Sequence, residues 1–390
     1  MKHYKYLIIG GGLTGDAATR GIRELDGNGS IGLISAEPDP PYMRPNLSKG
    51  LWKGRPVEKI WRKTEGRAEL ILGRKATKLN PEKKIVQDDK GEEYTYEKLL
   101  LATGGSPIHL LCGEGDIIYF RDFQDYQRLR KLADEKEHFV VIGGGYIGSE
   151  IAAALTMVGA KVTMIFLEEA ISGRVFPSNL AHYLNDYYRE KGVEVLANDS
   201  VVDVQKVGER FVVRTKSKRT IETDGVVAGL GIRPNVDLAK DAGLEIDNGI
   251  VVNERLETSA ADVYAAGDVA NFYHVALGKR TRVEHEDNAV SMGKLAGMNM
   301  AGGSETYDRI PMFYSDLFDH GYEAVGELSS TLETVSDWQE PFQKGTIYYL
   351  DDGHVRGVLL WNFWNQVKHA RALMMEKGPF KADDLIGRIK

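Results

Sequence analysis

The chain has 390 residues and a formal net charge of −7, with 42% hydrophobic and 27% charged residues. This composition is typical of globular proteins and excludes disordered and collagen-like classes, and no apolar run approaches the roughly 20 residues of a membrane-spanning helix. The length predicts two or three domains, and the net acidity disfavours nucleic acid as a partner.

The first predicted element is a strand that runs into a glycine-rich turn, YLIIGGGLTG. Its apolar stretch at residues 7–9 is too short for a signal peptide, so we expect a cytoplasmic protein. Gly10, Gly12 and Gly15 form the G-x-G-x-x-G frame. The first glycine allows the tight turn, the second lets the backbone approach a pyrophosphate, and the third lets helix and strand pack closely. The helix expected in DAATRGIREL then offers free N–H groups to the phosphates.

The next predicted strand, SIGLISAE, ends at an acidic residue, Glu37. It lies about 20 residues beyond the third glycine, where a carboxylate accepts hydrogen bonds from the ribose hydroxyls of adenosine. Further along, EKLLLATGGSP predicts a buried strand followed by a turn of small residues at Ala102, Thr103 and Gly104. We expect this turn to belong to the same dinucleotide site.

A second strand and turn, FVVIGGGYIG, repeats the frame at Gly143, Gly145 and Gly148. A helix-like segment, SEIAAALTMVG, follows, and the next strand ends at Glu168, again about 20 residues beyond the third glycine. A carboxylate there repels a 2′-phosphate, so this site is expected to prefer NADH to NADPH; the adjacent Glu169 is the alternative. One such frame is a weak signal, but two complete units predict a protein that binds two dinucleotides.

Two further segments assign FAD to the first unit. SAADVYAAGDVANF predicts a strand that ends in Gly267 and Asp268, where the carboxylate can hold a ribityl hydroxyl and the amides a pyrophosphate. The next segment, RVEHEDNAVSMGKLAGMNMAG, has a helix pattern with acidic residues in its first turn and small residues facing a neighbour. The N-terminus of that helix would stabilise negative charge on a reduced flavin.

The single cysteine, Cys112, excludes an intramolecular redox disulfide and a cysteine-ligated zinc or iron–sulfur site. We interpret it as structural or incidental. The nine histidines are scattered without ligand spacing, so no metal site is predicted.

The order of these segments resembles the two-dinucleotide-binding flavoprotein reductases, which include glutathione reductase and the NADH-dependent ferredoxin and rubredoxin reductases. The strings PPYMRPNLSKGLW, VEHEDNAV, MFYSDLFDHGYEAVGEL and VLLWNFWN are similar to those of apoptosis-inducing-factor-like NADH reductases. The resemblance implies an α/β fold with two Rossmann-like, glutathione-reductase-like domains and a small α+β C-terminal domain. It implies an FAD-binding domain at residues 1–108 and 226–305, an NAD-binding domain at 109–225 and a C-terminal domain at 306–390.

The resemblance also implies roles for single side chains. Arg44 and Lys49 are expected at the flavin, with Glu150 facing Lys49 and the nicotinamide; the alternative is that Lys49 and Glu150 are ordinary surface charges. Lys49, Glu150 and His285 are the expected catalytic residues. Arg121 is expected either to contact FAD or to form a salt bridge at a helix start. Further cofactor contacts are expected at Leu13, Thr14, Tyr146, Ile147, Gly231, Glu284, Tyr314 and Glu323.

Two functions are compatible with this resemblance. The leading one is an FAD-dependent NADH oxidoreductase that passes electrons to an external acceptor, either a ferredoxin- or rubredoxin-type protein or a quinone, without a redox disulfide. The alternative is a redox-responsive protein that forms a stable charge-transfer complex of reduced FAD with NAD and dimerises on reduction. Trp361 and Trp364 are expected in the core of the C-terminal domain rather than at a cofactor.

Overall fold

The computed structural model of the protein describes residues 1–113 and 116–390. The helices are α1 Leu13–Leu25, α2 Phe123–Glu135, α3 Tyr146–Met157, α4 Ser178–Glu190, α5 Asp237–Asp241, α6 Glu286–Met300, α7 Val367–Met374 and α8 Ala382–Leu385. Short 3-10 helices cover Arg44–Leu47, Val57–Lys59, Gly267–Val269 and Val275–Leu277. In the part of the chain that the structure describes, no helix is long and apolar enough to cross a membrane.

The strands, in chain order, are β1 Lys2–Ile9, β2 Ile31–Ser35, β3 Glu69–Leu72, β4 Ala76–Asn80, β5 Ile85–Asp88, β6 Glu93–Leu101, β7 Gly105–Pro107, β8 Ile118–Tyr119, β9 His138–Ile142, β10 Lys161–Ile165, β11 Val193–Leu196, β12 Val201–Val207 and β13 Arg210–Thr215. They continue with β14 Thr220–Thr223, β15 Gly225–Ala228, β16 Ile232–Pro234, β17 Ile250–Val251, β18 Val263–Ala265, β19 Ala270–His274, β20 Lys279–Thr281, β21 Met312–Leu317, β22 His320–Gly326, β23 Glu333–Glu340, β24 Lys344–Asp351 and β25 His354–Trp361.

The chain forms two compact units, of which the first comprises Met1–Pro45, Pro56–Ser106 and Arg233–Pro311. Its main sheet has the strand order β3-β2-β1-β6-β5-β4, with β18 paired to β6. The pairs β1–β2, β1–β6, β2–β3 and β6–β18 are parallel. The carboxyl ends of these parallel strands therefore lie at one edge of the sheet, which is where open α/β sheets bind their ligands.

Close helix packing in the first unit requires two glycines of α6. Leu7 of β1 is fully buried, because a strand between two parallel neighbours is covered on both faces. Helix α1 packs along α6, and a Cβ on Gly293 would lie 2.4 Å from the carbonyl oxygen of Thr14. A Cβ on Gly297 would lie 2.1 Å from the carbonyl oxygen of Ala18. The predicted small-residue face of α6 is therefore confirmed, since any side chain there would push the two helices apart.

The second unit comprises Asn46–Arg55, Pro107–Ile232 and Met312–Lys390. It contains a parallel sheet of order β11-β10-β9-β15-β8 and a three-stranded sheet, β12-β13-β14. The C-terminal residues form an antiparallel sheet of order β21-β22-β25-β24-β23, followed by α7 and α8. The predicted α/β class with two Rossmann-like sheets and a strand-rich C-terminal part is confirmed.

The boundaries differ from the sequence prediction by a few residues. Strand β2 ends at Ser35, before Glu37, and β10 ends at Ile165, before Glu168. Both helices after the glycine turns begin earlier than predicted, directly after the second glycine of each frame. The division into three domains stays a prediction; the segment Asn46–Arg55, assigned from sequence to the FAD-binding domain, groups with the second unit.

One of the two tryptophans expected in the C-terminal core lies there. Trp361 is fully buried, and its ring centroid lies 5.9 Å from that of Phe176 and 6.0 Å from that of Tyr322. For Trp364 the prediction was wrong, because this side chain is 45% exposed. Strand β25 ends at Trp361, and the turn that follows carries Trp364 out of the sheet.

Candidate active site

The first glycine turn joins β1 to α1. Gly10 has φ +126°, and a Cβ there would lie 2.0 Å from the carbonyl oxygen of Ala102. A Cβ on Gly15 would lie 2.1 Å from the carbonyl oxygen of Gly10. A Cβ on Gly12, the N-cap of α1, would meet no atom of the described residues within 4 Å. Backbone atoms therefore pack tightly against Gly10 and Gly15, whereas the space at Gly12, in front of the helix N-terminus, is open. A pyrophosphate requires such a space.

The turn at residues 102–104 lies directly beside this open space. The N–H of Ala102 donates to the carbonyl oxygen of Ile9 at 2.8 Å, where β6 leaves the sheet next to β1. Asn235 holds the rest of the turn: Thr103 Oγ1 donates to its carbonyl oxygen at 2.7 Å, and its N–H donates to the carbonyl oxygen of Gly104 at 2.9 Å. The structure thus brings the predicted turn to the first glycine frame.

Gly267 reaches the same frame from β18. Its φ is +77°, and a Cβ there would lie 2.2 Å from Oγ1 of Thr14. Leu13 and Thr14 are both buried in the first turn of α1. Only glycine allows this contact, because a side chain would have to displace Thr14.

Arg282 connects the residues predicted around Asp268 with those at the start of α6. Its guanidinium donates to the carbonyl oxygen of Asp268 at 3.0 Å and pairs with the carboxylate of Glu284. His285 is the N-cap of α6. One arginine that the sequence did not single out therefore links residues 268 and 284, and residue 285 follows at the start of α6.

Glu37 lies in a charged cluster beyond the end of β2. Its Oε1 accepts a hydrogen bond from Arg44 at 2.6 Å, and its Oε2 accepts one from the hydroxyl of Tyr42 at 2.6 Å. Burial by itself lowers the pKa of Arg44, but Tyr42, Glu37 and Asp268 outweigh that effect, so the net pKa is raised. Arg44 is therefore a permanent cation that fixes the Glu37 carboxylate at the edge of the sheet.

The second glycine turn repeats the geometry of the first. Gly143 has φ +110°, and a Cβ there would lie 2.4 Å from the carbonyl oxygen of Gly229. A Cβ on Gly148 would lie 1.9 Å from the carbonyl oxygen of Gly143. Gly145 is the N-cap of α3, with φ −83° and ψ −165°, and its Cβ position is open within the described part of the chain. A second pyrophosphate fits here for the same reason.

Glu168 is the more buried of the two acidic candidates beyond β10. Its Oε1 lies 2.5 Å from NH2 of Arg174, whose side chain is 77% exposed. Glu169 lies 3.9 Å from the ring of His182 instead. The predicted ribose-binding carboxylate thus has an exposed cation for a partner, in contrast to Glu37.

Lys49 and Glu150 form a buried ion pair, so the alternative that they are ordinary surface charges is wrong. Lys49 Nζ lies 2.7 Å from Oε1 of Glu150, and their side chains are 11% and 3% exposed. Ser48 Oγ donates to Oε2 of Glu150 at 2.5 Å, and Ser315 Oγ donates to Oε1 at 2.5 Å. The ion pair is held by the hydroxyl of the residue before Lys49 and by a hydroxyl of the C-terminal sheet, which reduces the cost of its burial.

Strand β21 adds an aromatic ring to this ion pair. Lys49 Nζ lies 5.3 Å from the ring centroid of Tyr314, within the range of a cation–π contact. Tyr314 is paired with Glu323 across β21 and β22, and the N–H of Asn365 donates to Oε2 of Glu323 at 3.1 Å. The structure therefore brings four predicted residues of the second unit together: Lys49, Glu150, Tyr314 and Glu323.

The other predicted residues of the second unit lie at element ends. Tyr146 opens α3 and stands edge-on to Phe313 with a centroid distance of 5.8 Å, and Ile147 follows it and is exposed. The N–H of Arg121 donates to Asp125 at 2.9 Å at the start of α2. Gly231, with φ +87°, lies between β15 and β16. Their cofactor contacts stay predictions.

Sequence reasoning missed Ser48, Ser315, Asn235 and Arg282. Two of them left a signal, since Ser48 precedes Lys49 and Ser315 follows Tyr314 in the strings that carry the resemblance. Asn235 and Arg282 left none, because their role is to hold main-chain carbonyls that only the fold brings close.

Two Rossmann-like sheets, each ending in a glycine turn and a carboxylate, define a protein that binds two dinucleotides. The chain matches the family model described as pyridine nucleotide-disulphide oxidoreductase over residues 4–293. It also matches the model described as the C-terminal part of apoptosis-inducing factor, mitochondrion-associated, over residues 296–341 and 336–376. The chain belongs to the pyridine nucleotide-disulphide oxidoreductase family.

Curated relatives are similar over most of the chain. It is 34% identical to apoptosis-inducing factor 1, mitochondrial, of Dictyostelium discoideum, covering 97% of this chain and 79% of that protein. It is 31% identical to rubredoxin-NAD(+) reductase of Pseudomonas putida, covering 83% and 86%. Among solved structures, it is similar to the covalent putidaredoxin reductase–putidaredoxin complex, with a TM-score of 0.91 and 26% identity over 98% of this chain and 95% of that chain.

The chain is therefore an NAD(H)-dependent oxidoreductase that uses FAD. The residues fit these cofactors, because each glycine turn leaves room in front of a helix N-terminus that any side chain at Gly12 or Gly145 would fill. The single cysteine departs from the disulphide in the family's description. The redox chemistry of this member accordingly needs no cysteine pair.

Proposed function

We propose that the chain is an NADH reductase whose FAD passes electrons to a small electron-transfer protein of the ferredoxin or rubredoxin type. Bound FAD accepts a hydride from NADH and releases its electrons to the next carrier. With only Cys112 available, electrons leave from the cofactor itself and not through a protein disulfide. The ferredoxin and rubredoxin reductases among its relatives support a protein acceptor, and a quinone is the alternative acceptor.

The observation that carries this proposal is the buried ion pair of Lys49 and Glu150. Glu150 lies in α3, the helix that follows the second glycine turn. A cation held beside a flavin favours electron density arriving on the ring, and the carboxylate makes the burial of that cation possible. Glu37 and Glu168 would accept hydrogen bonds from the two adenosine riboses. Arg44, Tyr314, Glu323, Glu284 and His285 would line the cofactors.

The test is reduction of the purified flavoprotein by NADH in a stopped-flow instrument, followed by reoxidation against a ferredoxin, a rubredoxin, a quinone and ferricyanide. We expect flavin bleaching by NADH and faster reoxidation by one of the small proteins than by oxygen. A flavin-loaded protein that NADH does not bleach would contradict the proposal, and preferred reoxidation by the quinone would replace the protein acceptor.

A second function has its own observation, the match of residues 296–341 and 336–376 to the C-terminal part of apoptosis-inducing factor. The corresponding hypothesis is a redox-responsive protein that stays reduced as a long-lived complex with NAD and dimerises. A long-wavelength absorption band that persists in air after NADH addition, together with a doubled mass in light scattering, would favour it. Rapid reoxidation by a small electron-transfer protein would favour the reductase.

A further inference from the structure

Glu150 accepts more donors than a simple ion pair needs. Lys49 Nζ and Ser315 Oγ both bind Oε1, at 2.7 and 2.5 Å, and Ser48 Oγ binds Oε2 at 2.5 Å. Ser48, Ser315 and Glu150 are all buried, Ser315 with 1% exposure. Hydrogen-bond donors therefore occupy three of the four lone-pair positions of this carboxylate.

The four residues of this group come from three separate parts of the chain. Ser48 and Lys49 lie in the segment Asn46–Arg55, Glu150 lies on α3, and Ser315 lies on β21 of the C-terminal sheet. The next residue of β21, Asp316, pairs with Lys53 of the same segment at 3.0 Å. Strand β21 thus contacts the Lys49 segment on both sides of Ser315, and it contacts the carboxylate in between.

Hydroxyl donors have a specific effect on a buried carboxylate. Each hydroxyl donates to the carboxylate and so replaces a hydrogen bond that Glu150 would otherwise make to water. They also fix its plane, because one hydroxyl holds each oxygen. Neither serine adds charge, so Lys49 remains the single cation that balances Glu150 in this group.

We propose that Ser48 and Ser315 are positioning residues for NADH oxidation, which hold the Glu150 carboxylate directed at Lys49. The inference rests on the proposed role of Lys49 and Glu150 at the cofactors. It makes the C-terminal sheet part of the machinery of hydride transfer through one hydroxyl. Ser315 touches neither cofactor in this scheme and acts through Glu150.

The experiment compares Ser315→Ala, Ser315→Thr and Ser48→Ala with the wild type, and Ser336→Ala, on β23 of the same sheet, is the matched control. The first readout is the rate of flavin reduction against NADH concentration in the fully flavinylated proteins. Loss of one hydrogen bond to a charged group should lower the limiting rate by about tenfold, with little change in the NADH concentration that gives half of this rate. Threonine should restore the limiting rate, and Ser336→Ala should keep the wild-type rate.

The second readout does not depend on turnover. The free energy of unfolding in denaturant is measured at neutral pH for the wild type, Ser315→Ala, Glu150→Gln and the double variant. If Ser315 acts through Glu150, Ser315→Ala should cost less stability in the Glu150→Gln background than in the wild type. If Ser315→Ala does not fold, Ser48→Ala tests the same coupling from another part of the chain.

The outcomes separate the two proposals. Wild-type limiting rates in both alanine variants, while Lys49→Ala or Glu150→Gln is slow, would overturn the positioning role and leave the proposed function intact. Normal reduction by NADH in Lys49→Ala and Glu150→Gln would overturn the role of the ion pair itself. A slower rate with no rescue by threonine and no coupling to Glu150 in the double variant would assign Ser315 to packing alone and so overturn the inference.

Discussion

The two helices that follow the glycine turns each bury one carboxylate near their start, and they hold it in different ways. Asp16 on α1 is fully buried and accepts from Arg67 at 2.6 Å, from Thr64 at 2.7 Å and from Arg62 at 3.0 Å. Glu150 on α3 accepts from one lysine and two serines. The same fold has thus placed an acid beside each turn, once among arginines and once among hydroxyls.

The difference indicates two roles. Arginines remain charged and bind in a fixed planar geometry, so the group around Asp16 fastens α1 to the loop of residues 62–67. Lysine is a compact point charge and hydroxyls carry none, so the group around Glu150 delivers a single cation to one place. We infer that the first carboxylate serves stability, whereas the second serves the reaction.

Asp16→Asn is the change with the largest expected effect. It leaves arginines around a neutral side chain, and breaking a buried charge network in this way costs about 3–5 kcal/mol. We expect a large loss of unfolding free energy in a denaturant titration. In the protein that still folds, NADH should reduce the remaining bound flavin at nearly the wild-type rate.

An unchanged free energy of unfolding in Asp16→Asn would contradict the stabilising role of Asp16. A loss of the flavin reduction rate in the folded, flavin-loaded variant, to the extent expected for Lys49→Ala, would contradict the difference in role between the two carboxylates.

Lys49→Ala is expected to act mainly on rate. We expect flavin reduction by NADH to slow by about 10- to 100-fold, roughly 1.4–2.7 kcal/mol, with little change in FAD content. Lys53→Ala is the matched control, since Lys53 lies in the same segment and forms a pair with Asp316 in which its side chain is 41% exposed. Exposed pairs contribute little, so this control should retain its rate within about twofold. Stopped-flow reduction at the wild-type rate in flavin-loaded Lys49→Ala would refute the assignment.

The glycine frames show how far the sequence leads. Their spacing predicted both turns, both helices and the parallel strands, because the chemistry of a tight turn before a helix fixes glycine at defined positions. The acids Glu37 and Glu168 followed from the same rule. The strand ends were placed too far along, because a hydrophobicity pattern does not show where the sheet stops pairing.

The group around Glu150 shows what the sequence leaves out. Lys49 and Ser315 are 266 positions apart, and only the fold brings both to one carboxylate. The resemblance supplied Lys49 and Glu150 but not the serines, whose hydroxyls carry no pattern of their own. Trp364 was misplaced because the position of a tryptophan relative to the end of β25 decides between core and surface.

The comparison extends to the two acids that are predicted to bind ribose. Glu37 is held by Arg44 and Tyr42, whereas Glu168 is paired with the exposed Arg174. Glu168→Gln removes the charge that repels a 2′-phosphate and releases Arg174 to bind one. We expect the preference for NADH over NADPH to fall by about tenfold, or 1.4 kcal/mol, in the ratio of kcat/KM values.

Glu169→Gln is the control for this change and should keep the preference. A larger shift in Glu169→Gln than in Glu168→Gln would exchange the roles of these two acids.

His320 is another buried polar side chain of the second unit, and its described hydrogen bonds are to neutral partners. His320 on β22 is bonded through Nε2 to the hydroxyl of Tyr183 at 2.8 Å and through Nδ1 to Nδ2 of Asn362 at 2.9 Å. The Oδ1 of Asn362 accepts from the N–H of Gly321 at 2.7 Å. The amide nitrogen therefore faces Nδ1, and His320 is neutral in this arrangement.

The smallest expected effect is a pH dependence at this histidine. Burial lowers the pKa of His320, opposed by the charge of Asp319 and assisted by that of Lys191. The unfolded chain thus binds the proton more readily, and the contribution to stability, of order 1 kcal/mol, is present above about pH 6.5 and lost below it. His320→Gln should flatten this part of the stability profile in denaturant titrations, whereas the exposed His369→Gln should not. Burial also lowers the pKa of His138, so both variants keep some dependence of stability on pH. The decisive quantity is the difference between the two variants. Equal stability profiles would show that His320 does not contribute to this pH dependence.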